Sequence, residues 1–136
     1  MLTDNISRSP DGALLFAGQS VSALADKYGT PLYLMDEDRI RSNCRMYMDA
    51  FRADFGADSL PLYAGKAASF RRMYGIMAEE GLGVDAVSPG EIATALSAGF
   101  PAKNIYYHGD GKTDADIAFA LDRGVGCFIE IGRAHV

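Results

Sequence analysis

The sequence predicts a parallel α/β fold whose sheet is covered on both faces or closed into a barrel. Three observations carry that expectation. From Leu60 onward, short apolar runs alternate with helix-patterned segments, and the run centres at Leu62, Val84, Ile105 and Cys127 lie about 21–22 residues apart. A glycine ends each helical segment, at Gly81, Gly99 and Gly124. The apolar runs show little polar alternation, the pattern of strands with both faces buried in βα units.

The elements follow in order. The opening is irregular, with Leu14-Leu15-Phe16 expected as a short strand. Ser20 to Tyr28 reads as a small helix with Val21, Leu24 and Ala25 on one side and Gly29 as its stop. Thr30 to Met35 reads as a strand. Asp36 is placed to cap the next helix, with Glu37 and Asp38 complementing its dipole. Ile40, Cys44, Tyr47, Met48, Phe51 and Phe55 then recur at helical spacing, so an amphipathic helix is expected to about Phe55, its Met and Phe stripe facing the core. The repeating part predicts strands over 60–64, 83–87 and 104–107, with a last one opening at Gly126. Helices are expected over 69–80, 89–98 and about 114–123. Ser88-Pro89-Gly90-Glu91 has the form of a capping box with proline at the first helical position. Thr113 caps the last helix, with Asp114 and Asp116 in its first turn.

The 136 residues suffice for one modest domain with its own core. The chain is 49% hydrophobic and 23% charged with a net charge of -5, and no basic patch points to nucleic acid. The polar N-terminus has no signal-peptide pattern, and no apolar run is long enough to cross a membrane. Cys44 and Cys127 form neither a disulfide framework nor a metal-ligand spacing, read as small core residues, and point to the cytosol.

Chemistry in parallel βα proteins gathers in the loops after the strands. Those loops hold Lys66, then Asp85 with Ser88 and Glu91, then His108-Gly109-Asp110-Gly111-Lys112. Lys66 follows an apolar strand and is flanked by Gly65, Ala67 and Ala68. It is either a strand-end lysine that snorkels to water or a desolvated amine able to form a Schiff base. Asp85 lies within an apolar strand, and if buried it needs a partner, either Lys66 or a cofactor group. Glu91 is accounted for by the capping box. His108 ends its strand and is either structural or faces an interior site. Tyr106 and Tyr107 suit a pleated surface. Gly109-Asp110-Gly111-Lys112-Thr113 fails the phosphate-loop pattern, because Tyr106 stands where that pattern needs glycine. It reads as an ordinary βα loop, with an anion contact from its backbone N–H groups left open.

Tyr63-Ala64-Gly65-Lys66-Ala67, the run from Gly81 to Glu91, Ala98-Gly99-Phe100-Pro101, and Asn104 to Gly109 together resemble the N-terminal barrel of diaminopimelate decarboxylases. The flanking Tyr28 to Tyr33 and Asp36 to Arg41 are also typical, so the resemblance spans roughly residues 12 to 129. It implies a fold-type III, alanine-racemase-like enzyme: a (β/α)8 TIM barrel followed by a β domain, with pyridoxal 5'-phosphate (PLP) as cofactor and a homodimer as the working form. Lys66 is implied to hold PLP as a Schiff base, with Asp85 and His108 as cofactor-binding positions and Glu91 as an acidic neighbour. No metal is implied. The implied reaction converts meso-2,6-diaminopimelate to L-lysine, the last step of lysine biosynthesis, in the cytoplasm. Ala68, Pro89 and Asp110 replace the commoner asparagine, glycine and asparagine, which suggests a subfamily. Two alternatives stand beside this: a decarboxylase of ornithine, arginine or carboxynorspermidine, and a PLP-binding regulatory barrel without turnover.

The expected organisation is an N-terminal segment over 1–29 that packs with a β domain, the first strands and helices of the barrel over 30–130, and a foreign tail over 131–136. That tail, Ile131 to Val136, reads as a translated sequencing adapter, so His135 carries no functional weight. A partial barrel leaves edge strands unpaired, so the 136 residues alone are expected to be insoluble or molten and inactive.

Overall fold

A computed structural model describes residues 4–130. The expected adapter tail therefore lies outside the described residues. The chain divides into two compact units, Met1–Asn43 and Cys44–Val136.

The first unit is more regular than its sequence suggests. Strands β1 (Ile6–Arg8), β2 (Leu14–Phe16) and β3 (Gln19–Ser20) form an antiparallel sheet in that order. The β2–β3 turn has positive φ at both Ala17 and Gly18, as a two-residue hairpin requires. Alanine is an unusual occupant of that conformation, which is why the hairpin escapes a reading by turn composition. Helix α1 (Val21–Tyr28) is capped by the Ser20 hydroxyl, which accepts from Ala23 N–H, and it ends at Gly29. Thr30 to Met35 forms no strand. A strand exists only through its partner, and among the described residues none pairs with this segment; Tyr33 is 93% exposed. Asp36 caps α2 (Glu37–Phe55) by accepting from Arg39 N–H at 3.2 Å.

The boundary between the units falls within α2. In its second part Cys44 and Met48 are buried, whereas Tyr47 and Phe55 are exposed. The apolar stripe is therefore narrower than expected, and Phe55 is no part of the core.

The second unit carries four parallel strands in sequential order: β4 (Leu62–Ala64), β5 (Gly83–Ala86), β6 (Ile105–Tyr107) and β7 (Cys127–Phe128). Helices α3 (Arg71–Glu79), α4 (Pro89–Ser97) and α5 (Asp114–Asp122) connect them, and each packs on the next. Sequential order without a reversal is the order of barrel strands. All three helices end alike. Gly81, Gly99 and Gly124 adopt positive φ, and the next residue's N–H reaches back five residues, from Leu82 to Met77, Phe100 to Ala95 and Val125 to Ala120. This is the Schellman closure, and its apolar follower is buried each time.

Burial alternates along the strands. Val84, Ala86, Ile105 and Tyr107 are fully or almost fully buried, together with Tyr74, Ile76 and Met77 of α3 and Ile92 and Ala95 of α4. Each large apolar side chain so placed contributes about 1.5–3 kcal/mol. Asp85, Tyr106 and Cys127, aligned with Ala64 in one cross-strand row, are only half-buried. The expectation of two covered faces thus holds for one of them among the described residues. The alternation was obscured because, Asp85 apart, the second face carries small and aromatic residues rather than charged ones.

Candidate functional site

The sequence-predicted residues gather at the C-terminal ends of β4, β5 and β6. Lys66 lies in a single 3₁₀ turn, Gly65–Ala67, directly after β4. Its side chain is exposed, and among the described residues it has neither a hydrogen-bond nor an ion-pair partner. The desolvation argument for its reactivity therefore fails in this structure. At the strand ends, the unengaged amine of Lys66 contrasts with that of Lys112.

The turn that carries Lys66 is tightly supported. A Cβ added at Gly65 would lie 2.8 Å from Glu91 Oε2, 2.8 Å from the Tyr74 hydroxyl and 3.2 Å from the Asp85 carbonyl oxygen. Only glycine fits without displacing those groups. Tyr74 is fully buried and shares a 2.8 Å hydrogen bond with Ser69, while the Tyr63 hydroxyl donates to Ala68 O. Burial raises the pKa of both phenols. For Tyr74 the Ser69 hydrogen bond opposes that rise, and the nearby Glu91 carboxylate adds to it. Both therefore stay neutral around physiological pH and serve as fixed struts on either side of the lysine turn.

Glu91 differs from its expected role. The Ser88 hydroxyl accepts from Glu91 N–H as a cap should, but Glu91 Oε2 accepts from Val87 N–H at 2.9 Å, not from Ser88 N–H. The carboxylate is thereby held one residue further back, against Gly65. The complete reciprocal box is at Thr113 and Asp116.

Asp85 and His108 are brought together. His108 Nδ1 lies 3.6 Å from Asp85 Oδ1, beyond hydrogen-bond distance. Asp85 Oδ1 is inaccessible to water and accepts no hydrogen bond. Lys66 is not its partner. A buried carboxylate oxygen without a donor is costly, and such groups mark places where a further ligand completes the bonding.

Sequence reasoning missed Tyr63, Ser69 and Tyr74, whose roles depend on where α3 packs. It also read Lys112 as an ordinary loop residue, although the Lys112 side chain is only 4% exposed. Among the described residues no group of histidines, cysteines and carboxylates could hold a metal, and no helix is long and apolar enough to cross a membrane.

Known proteins match this chain. A family described as the pyridoxal binding domain of pyridoxal-dependent decarboxylases matches residues 37–131. The diaminopimelate decarboxylase of Methanothermobacter thermautotrophicus is 46% identical over 121 residues, covering 89% of this chain and 28% of its own length. That of Bacillus subtilis is 41% identical over 118 residues, covering 87% and 27%. Among solved structures, the diaminopimelate decarboxylase of M. jannaschii in complex with L-lysine aligns with a TM-score of 0.80 at 30% identity, over 92% of this chain and 29% of that one. The chain thus spans less than a third of the relatives it matches. Its four sequential parallel strands correspond to the first part of their fold-type III barrel. With the family match covering most of its length, the chain belongs to the pyridoxal-dependent decarboxylases and carries residues of their pyridoxal-binding domain.

Proposed function

We propose that the whole protein decarboxylates meso-2,6-diaminopimelate to L-lysine with PLP as cofactor, and that this chain supplies the lysine that anchors it. The observation that carries the reading is the contrast between the two lysines at the strand ends. Lys112 is buried with its ammonium engaged, whereas Lys66 is unengaged on a braced turn. A covalent anchor needs an amine free to reach the cofactor, and that of Lys112 is committed elsewhere.

The residues present fit the cofactor. Gly65 keeps the turn free of a side chain, and Asp85 Oδ1 offers a buried acceptor with no donor of its own. PLP, when bound, supplies an electron sink for the pair left behind as carbon dioxide departs. Lys66 Nζ would hold the cofactor covalently. Asp85 accepts a hydrogen bond from a group brought by cofactor or substrate. His108 Nδ1 faces the same carboxylate at 3.6 Å. Glu91, Tyr74 and Ser69 keep the lysine turn in place.

The substrate assignment rests on the diaminopimelate decarboxylases at 38–46% identity. A cytoplasmic homodimer is part of the same proposal. A second reading, decarboxylation of a related basic amino acid, draws on the lysine/ornithine decarboxylase of Vibrio vulnificus, which aligns with a TM-score of 0.70 at 30% identity. The test is the visible absorbance of the cofactor in the purified whole protein, with and without borohydride reduction. Lys66→Ala should abolish both the band and the reduced covalent label. Carbon dioxide release should be fastest from meso-diaminopimelate. A label that survives Lys66→Ala sinks the anchor; faster turnover of ornithine or arginine selects the second reading.

A further inference from the structure

We propose that Lys112 is a positioning residue for the pyridoxal site, its buried ammonium tying the loop that carries His108 to the end of β7. This rests on the site reading above and deepens it.

The ammonium has three N–H donors; two of them are hydrogen-bonded to backbone carbonyls, and a carboxylate pairs with the charge. Lys112 Nζ donates to Gly109 O at 2.7 Å and to Ile129 O at 3.2 Å, and pairs with Glu130 Oε1 at 2.7 Å. Its Nζ also lies over the Tyr107 ring, 5.4 Å from the centroid, within cation–π range. A snorkelling surface lysine would leave its head in water. Here the charge is enclosed, and it is matched by two carbonyls and a carboxylate.

The acceptors belong to different strand ends. Gly109 directly follows His108, and Ile129 directly follows β7. His108 N–H donates to Ala86 O at 2.8 Å, and Ile129 N–H to Tyr107 O at 2.9 Å. The backbone ladder therefore steps from β5 to β6 to β7, and Lys112 bridges the last two strand ends beyond its final rung. The loop is also seated just past the end of β5, since a Cβ at Gly109 would lie 3.1 Å from Val87 O. The His108 side chain is 49% exposed, so packing does not hold the imidazole. Its placement 3.6 Å from Asp85 is set by its backbone, which is held at its own N–H by Ala86 and at the next carbonyl by Lys112.

The experiment uses the whole protein and Lys112→Met, which keeps the length of the side chain and removes its donors. In unloaded protein, hydrogen exchange at the His108 and Ile129 amides should accelerate by about tenfold or more, as loss of bonds to a charged group allows. The inner ladder amides of β5 and β6 should keep their protection. On loading, the dissociation constant for PLP should rise by a similar factor, and the induced circular dichroism of the bound cofactor should change. Val125→Ala, a buried truncation at the α5–β7 turn, should destabilise the fold and leave that ellipticity unchanged. If Lys112→Met does not fold, Lys112→Gln, which retains an amide donor, takes its place. Wild-type protection at His108 and Ile129 in the variant overturns the clamp, as does an equal change of ellipticity in Val125→Ala. Wild-type protein that binds no PLP refutes the site reading instead, and the exchange measurement still decides the clamp.

Discussion

Gly65→Ala is the most direct probe of the lysine turn. The added methyl would sit 2.8 Å from both Glu91 Oε2 and the Tyr74 hydroxyl, closer than carbon and oxygen approach without displacement. Neither oxygen is a loose end. Glu91 Oε2 holds Val87 N–H at 2.9 Å, and the Tyr74 hydroxyl is bonded to Ser69 at 2.8 Å. The third neighbour, Asp85 O at 3.2 Å, is backbone. Overpacking of this kind costs about 1–3 kcal/mol. Reduced freedom of the unfolded chain returns about 0.4–1 kcal/mol. The net loss is about 1–2 kcal/mol, and the urea midpoint should fall by that loss divided by the slope measured for the wild-type protein. Urea titration of the unloaded whole protein by circular dichroism measures it. Gly75→Ala is the control, because its methyl meets only Arg72 Nη1 at 3.9 Å within α3. It should stabilise by about 0.5–1 kcal/mol. Because the turn carries Lys66, Gly65→Ala should also lower the fraction of protein that retains PLP. An unchanged midpoint with full cofactor retention would show that the cradle around Gly65 is not tight, and the bracing argument would fall with it.

Two further outcomes are expected. The Asp116 carboxyl is held below its ordinary 3.8 by hydrogen bonds from the Thr113 backbone and then its hydroxyl, so its stabilising effect is present above that pH and is lost as pH falls through the lowered folded value. Asp116→Asn should therefore lower the melting temperature at neutral pH, with the gap to wild type closing only under stronger acid; a gap independent of pH would contradict the assignment. Gly126→Ala would place a methyl 1.9 Å from Lys103 O, a backbone atom that cannot swing aside, so a loss above about 3 kcal/mol and a sharp fall in soluble yield should follow.

Much of the second unit was legible because its signals are local. The Schellman glycines act within six residues and the Thr113 box within four, so they can be read from the chain alone. The alternation of apolar runs and helical segments likewise predicted strands and helices, with ends displaced by at most two residues. Thr30–Met35 shows the limit of that reading. It has strand composition, but composition supplies no partner. The first-unit hairpin shows the converse, since pairing forms there around an Ala-Gly turn.

The candidate site divides in the same way. Lys66, Asp85 and His108 could be placed at strand ends from spacing alone, because a parallel βα repeat puts every such residue on one rim. Their environments could not. Lys66 could be read as snorkelling to water or as desolvated, and it is exposed; the lysine whose side chain is buried is Lys112, whose acceptors include Ile129, seventeen residues away in sequence. Glu91 bonds Val87 rather than Ser88, and Asp85 Oδ1 is left without a donor, only once β4, β5 and α4 are packed together. Periodicity and turn chemistry are properties of neighbours along the chain, and they decided the element order and the identity of the rim. Desolvation and hydrogen-bond partnership are properties of neighbours in space, and they decided which lysine is engaged and which is left available.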